Sequence, residues 1–101
     1  MSFTQILTVD GVDEQALHDH VADWDAQQAG VAPGYLGARV LADEDQQGRY
    51  LIEVDFSSEE EARRNDARPE TAAWGEKLRE LVDAEPAYRN LRQVCTTYER
   101  G

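Results

Sequence analysis

Residues 49–56, RYLIEVDF, alternate more cleanly than any other stretch of the chain: Tyr50, Ile52, Val54 and Phe56 fall on one side of an extended backbone, Leu51, Glu53 and Asp55 on the other. Period-two patterning of this kind predicts a β-strand with one face turned to a core. The other face is the unusual one. It mixes a leucine with two carboxylates, and Arg39 or Arg92 could supply the counter-charge. A sheet built on this strand needs helices over one side. A second, identical sheet over the other side would resolve its mixed character and lessen the liability of its edges.

The flanking sequence supplies the remaining elements. Residues 2–9, SFTQILTV, read as a first strand ending at the Asp10-Gly11 turn. Asp13 is a good N-cap with Glu14 in the first turn, and Leu17, Val21, Trp24 and Gln28 recur on one face. That spacing predicts a helix over 14–29, closed by Gly30. After Pro33-Gly34, residues 35–41 (YLGARVL) predict a second strand in which Gly37 marks a bulge or a close backbone approach. A polar hairpin loop, DEDQQG at 43–48, leads into 49–56. Ser57 and Ser58, followed by Glu60 and Glu61, form overlapping capping boxes. The helix they start is interrupted at 65–69 (NDARP), where Pro69 opens a new segment with Trp74, Leu78, Leu81 and Val82 on one face. Pro86 ends it, and 91–98 (LRQVCTTY) predict the last strand.

The order is β-α-β-β-α-β, the ferredoxin-like α+β arrangement of an antiparallel sheet with helices on one face. The 101 residues read as a single domain, 1–101, and the 41% hydrophobic content is slightly lean for it, as expected if a second copy completes the apolar surface. A formal net charge of −11 makes nucleic acid and anionic membrane surfaces poor partners, because contact adds repulsion without releasing counterions. No signal-peptide pattern or membrane-spanning run is present, so the cytoplasm is the expected compartment. Cys95 stands alone, which excludes a disulfide framework and a cysteine metal cluster; a small buried side chain is its default reading. His18 and His20 are two apart on a helix and do not converge on a metal. No phosphate-cradling glycine loop, nucleophile elbow or calcium loop occurs.

The element order, the Pro33-Gly34-Tyr35-Leu36-Gly37 approach to strand two and Tyr50-Leu51-Ile52-Glu53-Val54 in strand three resemble the antibiotic biosynthesis monooxygenase family of dimeric α/β barrels. So do Asn65-Asp66-Ala67-Arg68-Pro69-Glu70-Thr71 leading to Trp74, and Tyr88-Arg89-Asn90-Leu91 into strand four. The resemblance implies a homodimer with a pocket in each subunit between sheet and helices. It implies oxidation of a small aromatic or polyketide-like molecule by molecular oxygen with no bound cofactor or metal: a carbanion-prone substrate supplies the electrons, and the protein supplies deprotonation, orientation and a dry cavity. The family also implies alternatives, a non-oxidative cyclase or isomerase, or a barrel that only binds a small apolar ligand. Its haem-degrading branch resembles a pattern of Asn on strand one, Trp on the second helix and a later His. Here strand one carries Gln5 and no His follows Trp74, so haem chemistry is not expected. The phenol-oxidising branch is similar in pairing Asn and Trp one helical turn apart; in this chain Glu70 holds that position and Asn65 lies farther upstream.

Six residues follow as site candidates. His20, beside the Leu17–Val21–Trp24 stripe, is the general-base candidate because imidazole titrates near neutrality. Asn65 is a local cap or a pocket amide that binds a substrate oxyanion. Trp74 is core or an aromatic wall that stacks on the ligand. Trp24, Tyr50 and Phe56 are core or substrate-contacting lining of the same helix–sheet space.

Overall fold

The computed structural model describes residues 2–98. Strand β1 (Phe3–Asp10) is followed by helix α1 (Glu14–Gln28), strands β2 (Tyr35–Ala42) and β3 (Arg49–Phe56), helices α2 (Glu59–Asp66) and α3 (Pro69–Leu81), and strand β4 (Ala87–Arg92). The four strands form one antiparallel sheet in the order β2-β3-β1-β4. The helices cover one face, so the molecule is thin, 39 × 33 × 20 Å, about the depth of one sheet and one helix layer.

Local chemistry explains most boundaries. The Asp13 carboxylate accepts from the Ala16 N–H at 3.0 Å and caps α1, and Ser58 Oγ does the same for α2 from Glu61 N–H at 3.2 Å. Pro69 opens α3 at a position where its missing N–H costs nothing. The register between β2 and β3 shifts between Tyr35 and Gly37, where Gly37 has φ +155°; the glycine of the second strand is a bulge. Gly34 is needed twice over, for its φ of +77° and because a Cβ there would meet the Glu61 side chain at 2.5 Å.

The core lies between the layers. Leu7 and Val9 of β1 with Ile52, Val54 and Phe56 of β3 face Leu17, Val21 and Trp24 of α1, Ala62 of α2 and Leu78 of α3. The alternation of β3 and the stripe of α1 are thus both turned inward, and Gln28 at the end of that stripe is fully buried. The uncovered sheet face carries Thr4 and Ile6, paired with Asp55 and Glu53, and the row Arg39, Glu53 and Leu51 beside Leu41. Arg39 grips Glu53 through Nε and one Nη at 2.8 and 3.1 Å, so it is Arg39 that supplies the counter-charge on this face.

The last strand departs from the sequence reading. It spans Ala87–Arg92 rather than 91–98, because its register on β1 runs from Thr8↔Ala87 to Phe3↔Arg92. The next bond, Gln93 N–H to Ser2 O at 3.1 Å, reaches the residue just before β1. Residues 94–98, for all their β-branched and aromatic character, lie past the end of the β1–β4 pairing. Cys95 falls in this segment and is exposed, not buried as its residue type suggested.

Candidate functional site

The break between α2 and α3 makes the site. Helix α2 ends at Asp66, Arg68 turns the chain with an extended ψ of 139°, and Pro69 restarts it as α3. The last turn of α2 and the first turn of α3 therefore face the same point above β1. There Asn65 and Thr71 meet Trp74 of α3, Trp24 of α1 and Gln5 of β1 around an inner space of about 50 Å³, room for roughly one or two waters. Gln5, Asp66, Thr71 and Tyr88 also border a wider hollow of about 390 Å³ that opens to solvent past Glu76, Arg79 and Asn90. The inner space thus continues outward along α3.

Its polar atoms are arranged unevenly. Asn65 is 4% exposed, and its Oδ1 has no hydrogen-bond partner; neither has the buried Thr71 Oγ. An amide oxygen that accepts and a hydroxyl that can donate or accept, both left open in one enclosed space, are a costly arrangement for a protein by itself, on the order of 1–3 kcal/mol each. The Gln5 amide nitrogen, by contrast, is fully used. It donates to Asp66 at 3.1 Å and to Asn90 at 3.2 Å, tying α2 and β4 together beneath the hollow. The Tyr88 phenol is pushed up by burial, with Arg79 opposing and Asp66 and Glu85 reinforcing, so it stays a proton donor at neutral pH. The apolar walls are the two indoles, 5.3 Å apart and tilted by 41°.

Of the six residues singled out by sequence, the fold brings three to this space: Asn65, Trp74 and Trp24. The other three lie elsewhere. His20 is on the far side of Trp74. Its ring stacks flat on the indole, 4.6 Å between centroids with 5° between planes, and Nε2 donates to the Trp74 carbonyl at 3.0 Å. Trp74 Nε1–H returns a bond to the His20 carbonyl at 3.0 Å. This reciprocal pair locks α1 to α3, and burial holds the imidazole below its ordinary value, against the raising effect of the bond to Trp74. Tyr50 points to the start of α1, its hydroxyl donating to Glu14 at 3.1 Å. It stands four positions from Val54 on β3, roughly 13 Å away. Phe56 is completely buried and meets the Tyr35 ring edge-on at 6.1 Å.

Sequence reasoning passed over Thr71, Asp66 and Tyr88 as site residues. Thr71 was within reach, since it sits three positions before Trp74 and so shares its helical face. Gln5 carried its own signal as the one polar residue on the buried, alternating side of β1, between Phe3 and Leu7. Among the described residues, no group of three His, Cys, Asp or Glu side chains is placed to hold a metal ion, and no helix is long and apolar enough to cross a membrane.

A ferredoxin-like sheet with helices on one face and a small amide-and-indole space between the layers defines the structural class. Within that class, the chain has the fold of the antibiotic biosynthesis monooxygenases. It superposes on SnoaB from Streptomyces nogalater, a cofactor-independent oxygenase solved as an asparagine-to-alanine variant, with a TM-score of 0.77 at 18% identity over 97% of this chain and 98% of that one. A protein from Deinococcus radiodurans assigned to the antibiotic biosynthesis monooxygenases matches over the full length of both chains, TM-score 0.76 at 16% identity. One from Caulobacter crescentus with the same assignment matches over 92% and 90%, again with TM-score 0.76 at 16% identity. Identities this low establish the fold alone. No protein-family model and no curated protein matches the sequence.

Proposed function

We propose that this chain is a cofactor-independent monooxygenase acting on a small aromatic or polyketide-like substrate, and that it works as a homodimer. The observation that carries the reading is the pair of unpartnered oxygens, Asn65 Oδ1 and Thr71 Oγ, enclosed beside Trp24 and Trp74. A phenolic or enolic hydroxyl entering this space supplies the missing hydrogen bonds, while its ring occupies the adjoining hollow of about 390 Å³. The role of the protein is then to orient the ring and exclude water while the substrate provides the electrons for oxygen. The likeness in fold to a cofactor-independent oxygenase supports the same reading.

The uncovered sheet face supports the dimer. Leu41 and Leu91, both on the uncovered face, are each more than two-fifths exposed.

A second reading, a barrel that binds but does not oxidise, is favoured by one observation: the imidazole that could serve as base is held against the outer face of Trp74. Oxygen consumption with anthrone- and quinol-type substrates separates the two. Turnover that falls in Asn65→Ala and Thr71→Val is the expected result. Binding without oxygen consumption would establish the second reading, and neither binding nor consumption would refute both.

A further inference from the structure

The mouth of the pocket carries a charge pattern that the inner space does not explain. Asp66 and Glu76 border the outer hollow. The one guanidinium there, Arg79, is already engaged by Glu85 at 2.8 Å. Asp66 is itself held in position by the Gln5 amide. Deeper in, Asn65 Oδ1 and Thr71 Oγ lack donors. Thr71 borders both the inner space and the outer hollow, and Glu76, five positions further along α3, borders only the hollow, so a ligand whose ring reaches Thr71 carries its tail past Asp66 and Glu76.

We propose that the pocket selects hydroxylated aromatic amines, with ring hydroxyls donating to Asn65 and Thr71 and the ammonium lying between Asp66 and Glu76. A carboxylate on the same tail would face two fixed negative charges with no free cation at the mouth, and the protein's overall charge of −11 opposes its approach from solution. The inference rests on reading the Asn65–Trp74 space as the ligand site, and the test keeps the two apart.

Dopamine, ethylcatechol and dihydrocaffeate share a catechol ring and differ in a tail that is cationic, neutral or anionic. Binding of each to the full chain, measured by calorimetry without oxygen at low ionic strength, should rank in that order. Two carboxylates near the tail imply at least about a tenfold ratio between dopamine and dihydrocaffeate, narrowing as salt is added. In Asp66→Asn/Glu76→Gln, where the amide at 66 can still accept from Gln5, the ratio should fall toward one. Equal affinities across the three ligands, or a ratio unchanged in the double variant, overturn the charge selectivity while ethylcatechol binding leaves the pocket standing. Failure of all three to bind overturns the pocket and the proposal with it.

Discussion

The His20–Trp74 lock makes a separable demand on stability and on chemistry. His20→Ala removes the Nε2–H bond to the Trp74 carbonyl, which contributes about 1 kcal/mol. It also removes the flat ring contact, an aromatic pair of about 0.5–1.5 kcal/mol, and some buried ring surface. The freed Trp74 carbonyl is not orphaned, because it lies inside α3 and keeps its helical acceptor role. The expected loss is about 2–3 kcal/mol, which for a domain of this length lowers the melting temperature by roughly 10–20 °C. The measurement is thermal unfolding by circular dichroism at one fixed protein concentration, since self-association would make the midpoint concentration-dependent.

A double-mutant cycle with Trp74→Phe sharpens the test. Both backbone carbonyls survive in every variant, so each residue's own hydrogen bond is lost in its single variant and the coupling reports only the part of the ring contact that phenylalanine does not replace, at most about 0.5–1 kcal/mol. Turnover per folded molecule should fall by less than about tenfold in His20→Ala, whereas loss of a general base costs roughly 10²–10⁴. Unchanged stability together with a hundredfold loss of turnover would refute the lock and make His20 the base.

Asn65→Leu removes a buried acceptor that nothing satisfies, so it should stabilise the free protein by up to about 1–2 kcal/mol while abolishing aromatic binding; denaturant unfolding and calorimetry read the two effects. Acidification should weaken the fold through His20. Its folded value lies below the ordinary 6.5, so the unfolded chain takes up the proton first, and stability present above that pH is lost as pH falls toward the folded value. In His20→Gln that part of the pH slope should vanish. Gly34→Ala, facing Glu61 with a positive φ, should cost about 2 kcal/mol or more in chemical denaturation. Leu51→Asp, on the uncovered sheet face, should leave the monomer folded but abolish self-association in sedimentation, and a sharp dimer boundary in that variant would count against the face-to-face assembly.

What could be read from the chain was local, and what could not was long-range. The alternation at 50–56, the stripe through Leu17, Val21 and Trp24, the caps at Asp13 and Ser58 and the break at Pro69 all act within a few residues, and each sits in the fold where its pattern put it. The last strand failed for the opposite reason. LRQVCTTY has better strand propensity than AYRNLR, but a strand needs a partner, and where β1 begins decides which residues of the C-terminal segment obtain one. That register depends on a contact across most of the sequence. His20 is a similar case. Helical geometry set it beside the apolar stripe, and the fold buries it there, but whether its ring opens into a cavity or lies against an indole depends on how α1 crosses α3, and no pattern within either helix records that crossing.

The site itself is legible as a place where good folding practice is broken. Among the described residues, four buried side-chain atoms lack partners: on Gln28, Glu61, Asn65 and Thr71. The first two belong to groups satisfied at their other end, Gln28 by Arg68 at 2.9 Å and Glu61 by Arg64 at 3.2 Å, and neither borders the inner space. Asn65 and Thr71 differ because their open oxygens converge on the same small space, between two indoles and beside a wider hollow. A chain optimised for stability alone would place leucine at 65 and valine at 71. Keeping the polar pair, and bracing the Trp74 wall with two reciprocal bonds to His20, is the arrangement expected where a ligand's hydroxyls complete the hydrogen bonding that the folded chain leaves open.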